Sequence, residues 1–94
     1  MSRYYNMNGQ PITLEEWSDL FAAERRVDND VRGDVTVSTV YLGLNHNWGD
    51  GPPLIFETMI FGGDHGETQW RYSTREEAEE GHRRACALAF GETA

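Results

Sequence analysis

The sequence predicts an α+β fold: a three- to four-stranded antiparallel sheet with two helices packed mainly on one face. Three observations lead there. Helix-capping signatures open two segments, near Thr13 and near Ser73-Thr74, and each is followed by apolar or small residues at helical spacing. Two β-branched and aromatic runs, 35–44 and 54–61, flank a loop rich in Asn, Gly and Pro. The 94 residues fit a single domain, 1–94, with no internal repeat, linker or low-complexity tract.

The first element is a short extended piece around Tyr4 and Tyr5, closed by the turn signal Asn8-Gly9. A helix starts next. Thr13 can cap it, Glu16 completes a capping box, and Ile12 and Trp17 occupy the staple positions on either side. Leu14, Trp17, Leu20 and Phe21 recur at helical spacing and form one broad apolar face, and the helix is expected to end near Arg25 or Arg26. Residues 28–34 (DNDVRGD) read as a polar connection.

The run from Val35 to Leu44 is the strongest strand signal. Its apolar residues change phase near Thr39, from the odd Val35 and Val37 to the even Val40, Leu42 and Leu44, which suggests a bulge or a strand buried on both faces. The second run, Leu54 to Phe61, is apolar on both faces and pairs with the first as an antiparallel hairpin. After the Gly62-Gly63-Asp64-His65-Gly66 turn comes a short third strand, Gln69 to Tyr72. The closing helix is capped by Ser73 or Thr74, runs to about Phe90 and stops at Gly91, with Ala78, Gly81, His82, Ala85 and Ala89 inward. With the helices on one face, Ile55, Met59, Phe61 or their even-numbered neighbours point the other way. A homodimer is the simplest cover for them.

Charge narrows the partners. The formal net charge is −8 and all eight basic residues are arginine, the usage of a GC-rich genome. Between Gly33 and Trp70 stand Asp34, Asp50, Glu57, Asp64 and Glu67 with no basic residue. Such a chain gains nothing from counterion release on a nucleic-acid backbone, and an anionic membrane surface repels it. Neither nucleic acid nor membrane is therefore an expected partner. The start has no apolar signal region, and the single cysteine, Cys86, suits a reducing cytoplasm.

The loop Asn45-His46-Asn47-Trp48-Gly49-Asp50-Gly51-Pro52-Pro53 concentrates hydrogen-bonding side chains and one aromatic anchor between two strong strands. It reads either as a recognition surface, through Asn45, His46, Asn47, Trp48 and Asp50, or as a long hairpin loop shaped by Asx turns. Arg71, Arg75 and the start of the closing helix form an alternative anion or ligand site. His46, His65 and His82 could converge with Asp50 or Asp64 on a metal, but their spacing is no ligand motif. Two solvated loop histidines and one packed His82 are expected instead, with no metal and no cofactor. Glu57, mid-strand, is either buried with a partner such as Arg71 or exposed on an open face. Cys86 reads as a packed, unreactive thiol beside alanines. Gly62-Gly63 lacks the lysine and the βαβ setting of a phosphate loop. No nucleophile, base and orienting group can be named together, so no catalytic residue is assigned.

Three segments carry a resemblance: Val37 to Gly63, Arg71 to His82, and the Pro11-Ile12…Trp17…Leu20-Phe21 pattern. Together they resemble small proteins of actinobacterial, mycobacteriophage-like bacteriophages. The resemblance covers most of the chain, with departures around Asp64 to Gln69. It implies an origin, a phage protein made in a GC-rich host, and carries no activity or catalytic residue. The expectation is a non-catalytic accessory protein of the host cytoplasm, homodimeric, that binds a host protein through the 45–53 loop. The competing expectation is a protein that binds or sequesters a small molecule such as a nucleotide signal.

Overall fold

In the computed structural model of the protein, the described residues are 3–23, 25–47 and 49–91. The chain opens with strands β1 (Tyr4–Tyr5) and β2 (Pro11–Ile12), which pair antiparallel, and helix α1 (Leu14–Ala22). Four strands follow, β3 (Arg26–Arg32), β4 (Val35–Tyr41), β5 (Phe56–Phe61) and β6 (Gln69–Tyr72), and then helix α2 (Arg75–Phe90). The four strands form an antiparallel sheet in sequence order, and α2 returns across one face to touch every one of them. This is the α+β architecture that the strand and helix signals predict.

Both helices start as the capping boxes require. Thr13 accepts from the Glu16 N–H while Glu16 accepts from the Thr13 N–H, and Thr74 and Glu77 repeat the arrangement on α2. Gly91, in the left-handed conformation, ends α2. Helix α1 stops at Ala22, three residues before the expected Arg25, because the chain must extend to pair Arg26 with Val40.

The reading of 28–34 as a polar connection is overturned. Residues 26–32 are an edge strand, and only Gly33 and Asp34 turn. An edge strand needs burial on one side only, so Val27, Asp28, Asn29 and Asp30 lack the apolar alternation that marks a strand in sequence. The irregular register also falls here, between Arg26 and Asp28, and not in β4.

In β4 the odd phase holds through Val37, Thr39 and Tyr41, all fully buried. The apparent phase change at Thr39 is a threonine standing where an apolar residue would be read. In β5 the even residues Phe56, Thr58 and Ile60 are buried on the same face, opposite Tyr41, Thr39 and Val37. Glu57, Met59 and Phe61 point the other way, and Phe61 is about half exposed. Glu57 is held across the strand gap by Arg71, Oε2 to Nε 3.0 Å, the partner named in one of the two readings its mid-strand position allows.

The core is layered. Tyr41, Ile55, Phe56 and Ala78 make one apolar cluster, joined by Tyr5, Met7, Trp17, Val27 and Tyr72. Val37, Ile60 and Ala85 make the other, with Val35, Cys86, Ala89 and Phe90 against it. On β4, β5 and α2 alike, the residues between these clusters are polar: Thr39, Thr58 and His82, each buried. Close approach of α2 depends on its small residues. A Cβ on Gly81 would run into the ring of Tyr72.

Candidate functional site

The 45–53 loop rises from a clamped base. Tyr5 N–H donates to the Gly43 carbonyl at 2.8 Å and Asn45 N–H to the Arg3 carbonyl at 2.9 Å, so the N-terminal segment runs beside the end of β4. The Trp17 indole donates to the Leu42 carbonyl at 2.9 Å, and the Tyr41 hydroxyl to the Tyr5 carbonyl at 2.5 Å. Gly43, at φ +71°, leaves no room for a side chain beneath Trp17 and Tyr41. Across the base, His46 N–H donates to the Leu54 carbonyl at 3.0 Å.

Above that base the asparagines shape the loop itself. Asn45 Oδ1 accepts from the N–H groups of Asn47 and Leu54, at 2.8 and 3.1 Å. Asn47 Oδ1 accepts from Gly49 N–H, and its amide donates to the Pro52 carbonyl, both at 2.9 Å. These are the Asx turns that the sequence offered as one reading, so Asn45 and Asn47 are committed to the loop's shape. His46 is half-buried, and loss of water there pushes its pKa down, with Arg71 adding to the effect and Glu57 opposing it. Asp50 is exposed at the tip between Gly49 and Gly51. Trp48 lies outside the described residues.

At the alternative anion site both arginines have carboxylate partners. Arg71 is paired with Glu57, and Arg75 with Glu79 at 3.5 Å. At the start of α2, Glu77 Oε1 accepts from both Ser73 and Thr74 N–H, at 3.2 and 3.1 Å. The chain's own carboxylate thus takes two of the backbone donors where the helix begins.

A second constellation was not assembled from the sequence. His82, in the buried polar layer, meets Thr39 Oγ1 with Nδ1 at 2.7 Å, and Thr39 continues to Thr58 Oγ1 at 2.5 Å. The other ring nitrogen, Nε2, stands 2.7 Å from Asp30 Oδ2 and 3.7 Å from Asp28 Oδ2. Cys86 Sγ lies 3.5 Å from the same Asp30 oxygen. The His82 hydrogen bond holds the Asp30 carboxyl below its ordinary pKa against the cost of burial, with smaller help from Cys86 and Arg32. Asp28, Asp30, Arg32, His82, Arg83, Cys86 and Phe90 line a pocket of about 300 Å³ open to solvent.

The two neutral tautomers of the ring meet this chain differently. In one, Nε2–H donates to Asp30 and Nδ1 accepts from the Thr39 hydroxyl. In the other, Nδ1–H donates to Thr39, Thr39 donates to Thr58, and the Nε2 lone pair faces the carboxylate, which requires a cation between them. The order hydroxyl, imidazole, carboxylate is that of a hydrolase triad, but Thr39 is fully buried and its hydroxyl has no route to a substrate.

Two signals for this cluster were present in the sequence. His82 and Cys86 are four apart on one helix, and Asp28 and Asp30 two apart on one strand. What hid the cluster was the reading of 28–34 as a connection and of Cys86 as a thiol among alanines. Cys86 does touch the second apolar cluster, but its sulfur is turned to Asp30 at the pocket wall. His82 is packed, as expected. Among the described residues, His46, His65, Asp50 and Asp64 join no group of three potential metal ligands.

No helix among the described residues is long and apolar enough to cross a membrane. No family model, curated protein or solved structure matches the chain.

Proposed function

We propose that the chain is a non-catalytic binding module, a small accessory protein of bacteriophage origin that engages a host protein in the host cytoplasm through the 45–53 loop. The observation that carries this reading is the way the loop is fixed. Its base is clamped by the segment from Arg3 to Tyr5 and by Trp17, and its span is braced by Asn45 and Asn47. A loop ordered before binding loses little conformational entropy on docking, so more of its contact energy appears as affinity. Asn45 and Asn47 set the shape, and His46, Trp48 and Asp50 supply the contacts. The acidic stretch around the loop favours a basic partner surface.

The same reading includes a homodimer through the sheet face opposite α2. Val31 and Phe61 are 60% and 49% exposed, and register places them on that face with Val40 and Met59. The pairing of Arg71 and Arg75 leaves ligand sequestration with less support.

The test is capture from host lysate by three versions of the protein: the native chain, Trp48→Ala with Asp50→Arg, and a chain whose 46–52 segment is replaced by a short Gly-Ser turn. A partner held by the native chain is expected to be lost from both variants, with the far-ultraviolet dichroism of the sheet and α2 unchanged. Retention of the same partner by the loop-replaced chain would refute the assignment of the loop.

A further inference from the structure

We propose that Asp30, His82 and Cys86, with Asp28 as a fourth donor, bind a divalent transition-metal ion, and that Zn²⁺ is the ion this donor set fits. An imidazole nitrogen, a thiolate and carboxylate oxygens are the ligand types zinc takes, and the soft sulfur argues against calcium or magnesium.

The geometry carries the inference. One ligand atom from each of Asp30, His82 and Cys86 lies within 4.8 Å of the other two. Bonds of about 2.0 Å to nitrogen and oxygen and about 2.3 Å to sulfur put the ligand atoms about 3.3–3.6 Å apart around a tetrahedral ion. Asp30 Oδ2 and Cys86 Sγ are 3.5 Å apart, and Asp28 Oδ2 is 3.7 Å from His82 Nε2, so both pairs already stand near that spacing. The Nε2 to Asp30 contact, 2.7 Å, is a hydrogen bond, and it must open by about 0.6 Å for an ion to replace the shared proton. Asp30 sits on an edge strand with half its side chain exposed, so a small rotation suffices.

Three further features suit an ion. Nδ1 of His82 is bonded to Thr39, which is bonded to Thr58, the outer-shell support that fixes a ligating ring and its tautomer. The pocket gives the ion a path from solvent. Of the two arginines at its wall, Arg32 lies over the Phe90 ring at 4.7 Å and Arg83 bonds to Glu80 at 2.6 Å. Binding deprotonates Cys86, and that proton leaves to solvent. The bound ion ties α2 to β3, closing the seam between the helix and the sheet edge. This site is independent of the 45–53 loop and of the reading built on it.

The experiment uses untagged protein stripped with a chelator. Co²⁺ should give the near-ultraviolet charge-transfer band of a cobalt–thiolate bond, and Zn²⁺ should displace it at one ion per chain and raise Tm. Cys86→Ser should remain folded and lose the band. Asp30→Asn should bind Zn²⁺ at least about tenfold more weakly, since even outer-shell changes cost that much. The proposal fails if no thiolate band forms and Tm does not move in excess Zn²⁺. It fails equally if Asp30→Asn with Cys86→Ser binds as tightly as the native chain, which would put the ion elsewhere.

Discussion

Helix α1 brings Leu14, Trp17, Leu20 and Phe21 to the protein, yet none of its residues is fully buried, and Leu14 and Leu20 are 55% and 38% exposed. Helix α2 carries seven charged residues among its sixteen, and it buries Ala78, His82 and Ala85 against the sheet. The more apolar helix is therefore the peripheral one. What decides burial is how closely a helix axis can approach the strands, and alanine and glycine permit an approach that leucine does not. Helix α1 instead packs edgewise, with Trp17 between Tyr4 and Phe21 at ring-centre distances of 5.1 and 4.8 Å. The two helices serve different parts of the molecule: α2 completes the core, and α1 holds the base of the 45–53 loop.

Three substitutions put this contrast to the test. The largest effect is expected from His82→Ala, which opens a void in the polar layer and leaves the buried Thr39 hydroxyl without its imidazole partner. The loss should be about 3 kcal/mol, a large share of the 5–15 kcal/mol typical of a whole domain. Urea unfolding measures it, and a loss under about 0.5 kcal/mol would mean that the layer does not hold α2.

Trp17→Ala ranks next, at about 2 kcal/mol, because the ring is half-buried and its indole bonds to the Leu42 carbonyl. The loss should be local. Hydrogen exchange is expected to accelerate in α1 and at 42–46 while the amides of α2 keep their protection. Equal acceleration in α2 would show that α1 belongs to the same cooperative unit. The smallest effect, under about 0.5 kcal/mol, is expected from Leu20→Ala despite its being an apolar residue of the helix face. A loss comparable to that of His82→Ala would reverse the contrast.

Much of the fold was legible. The capping boxes at Thr13 and Thr74 were, because a hydroxyl and a glutamate three residues apart interact whatever surrounds them. The inward stripe of α2 was legible too, because helical period alone places Ala78, His82 and Ala85 together. Strand β3 was not: an edge strand with Asp28 and Asp30 facing the pocket and Asn29 and Val31 on the opposite face has no alternation to read. The loop's two readings were both visible, but only its hydrogen bonds show that Asn45 and Asn47 are spent on its shape.

Where the helices begin, which two runs form the central hairpin, and that α2 carries small residues and a histidine inward can all be read from the amino-acid order alone. These follow from local chemistry and periodicity, which act over a few residues. That β3 is a strand, that α1 stays at the periphery, and that Asp30, His82 and Cys86 meet emerge only when the whole chain is packed. Asp30 and His82 are 52 positions apart, and their approach depends on the hairpin register and the return of α2. No local pattern encodes such a meeting, because long-range pairing is settled by the packing of whole elements.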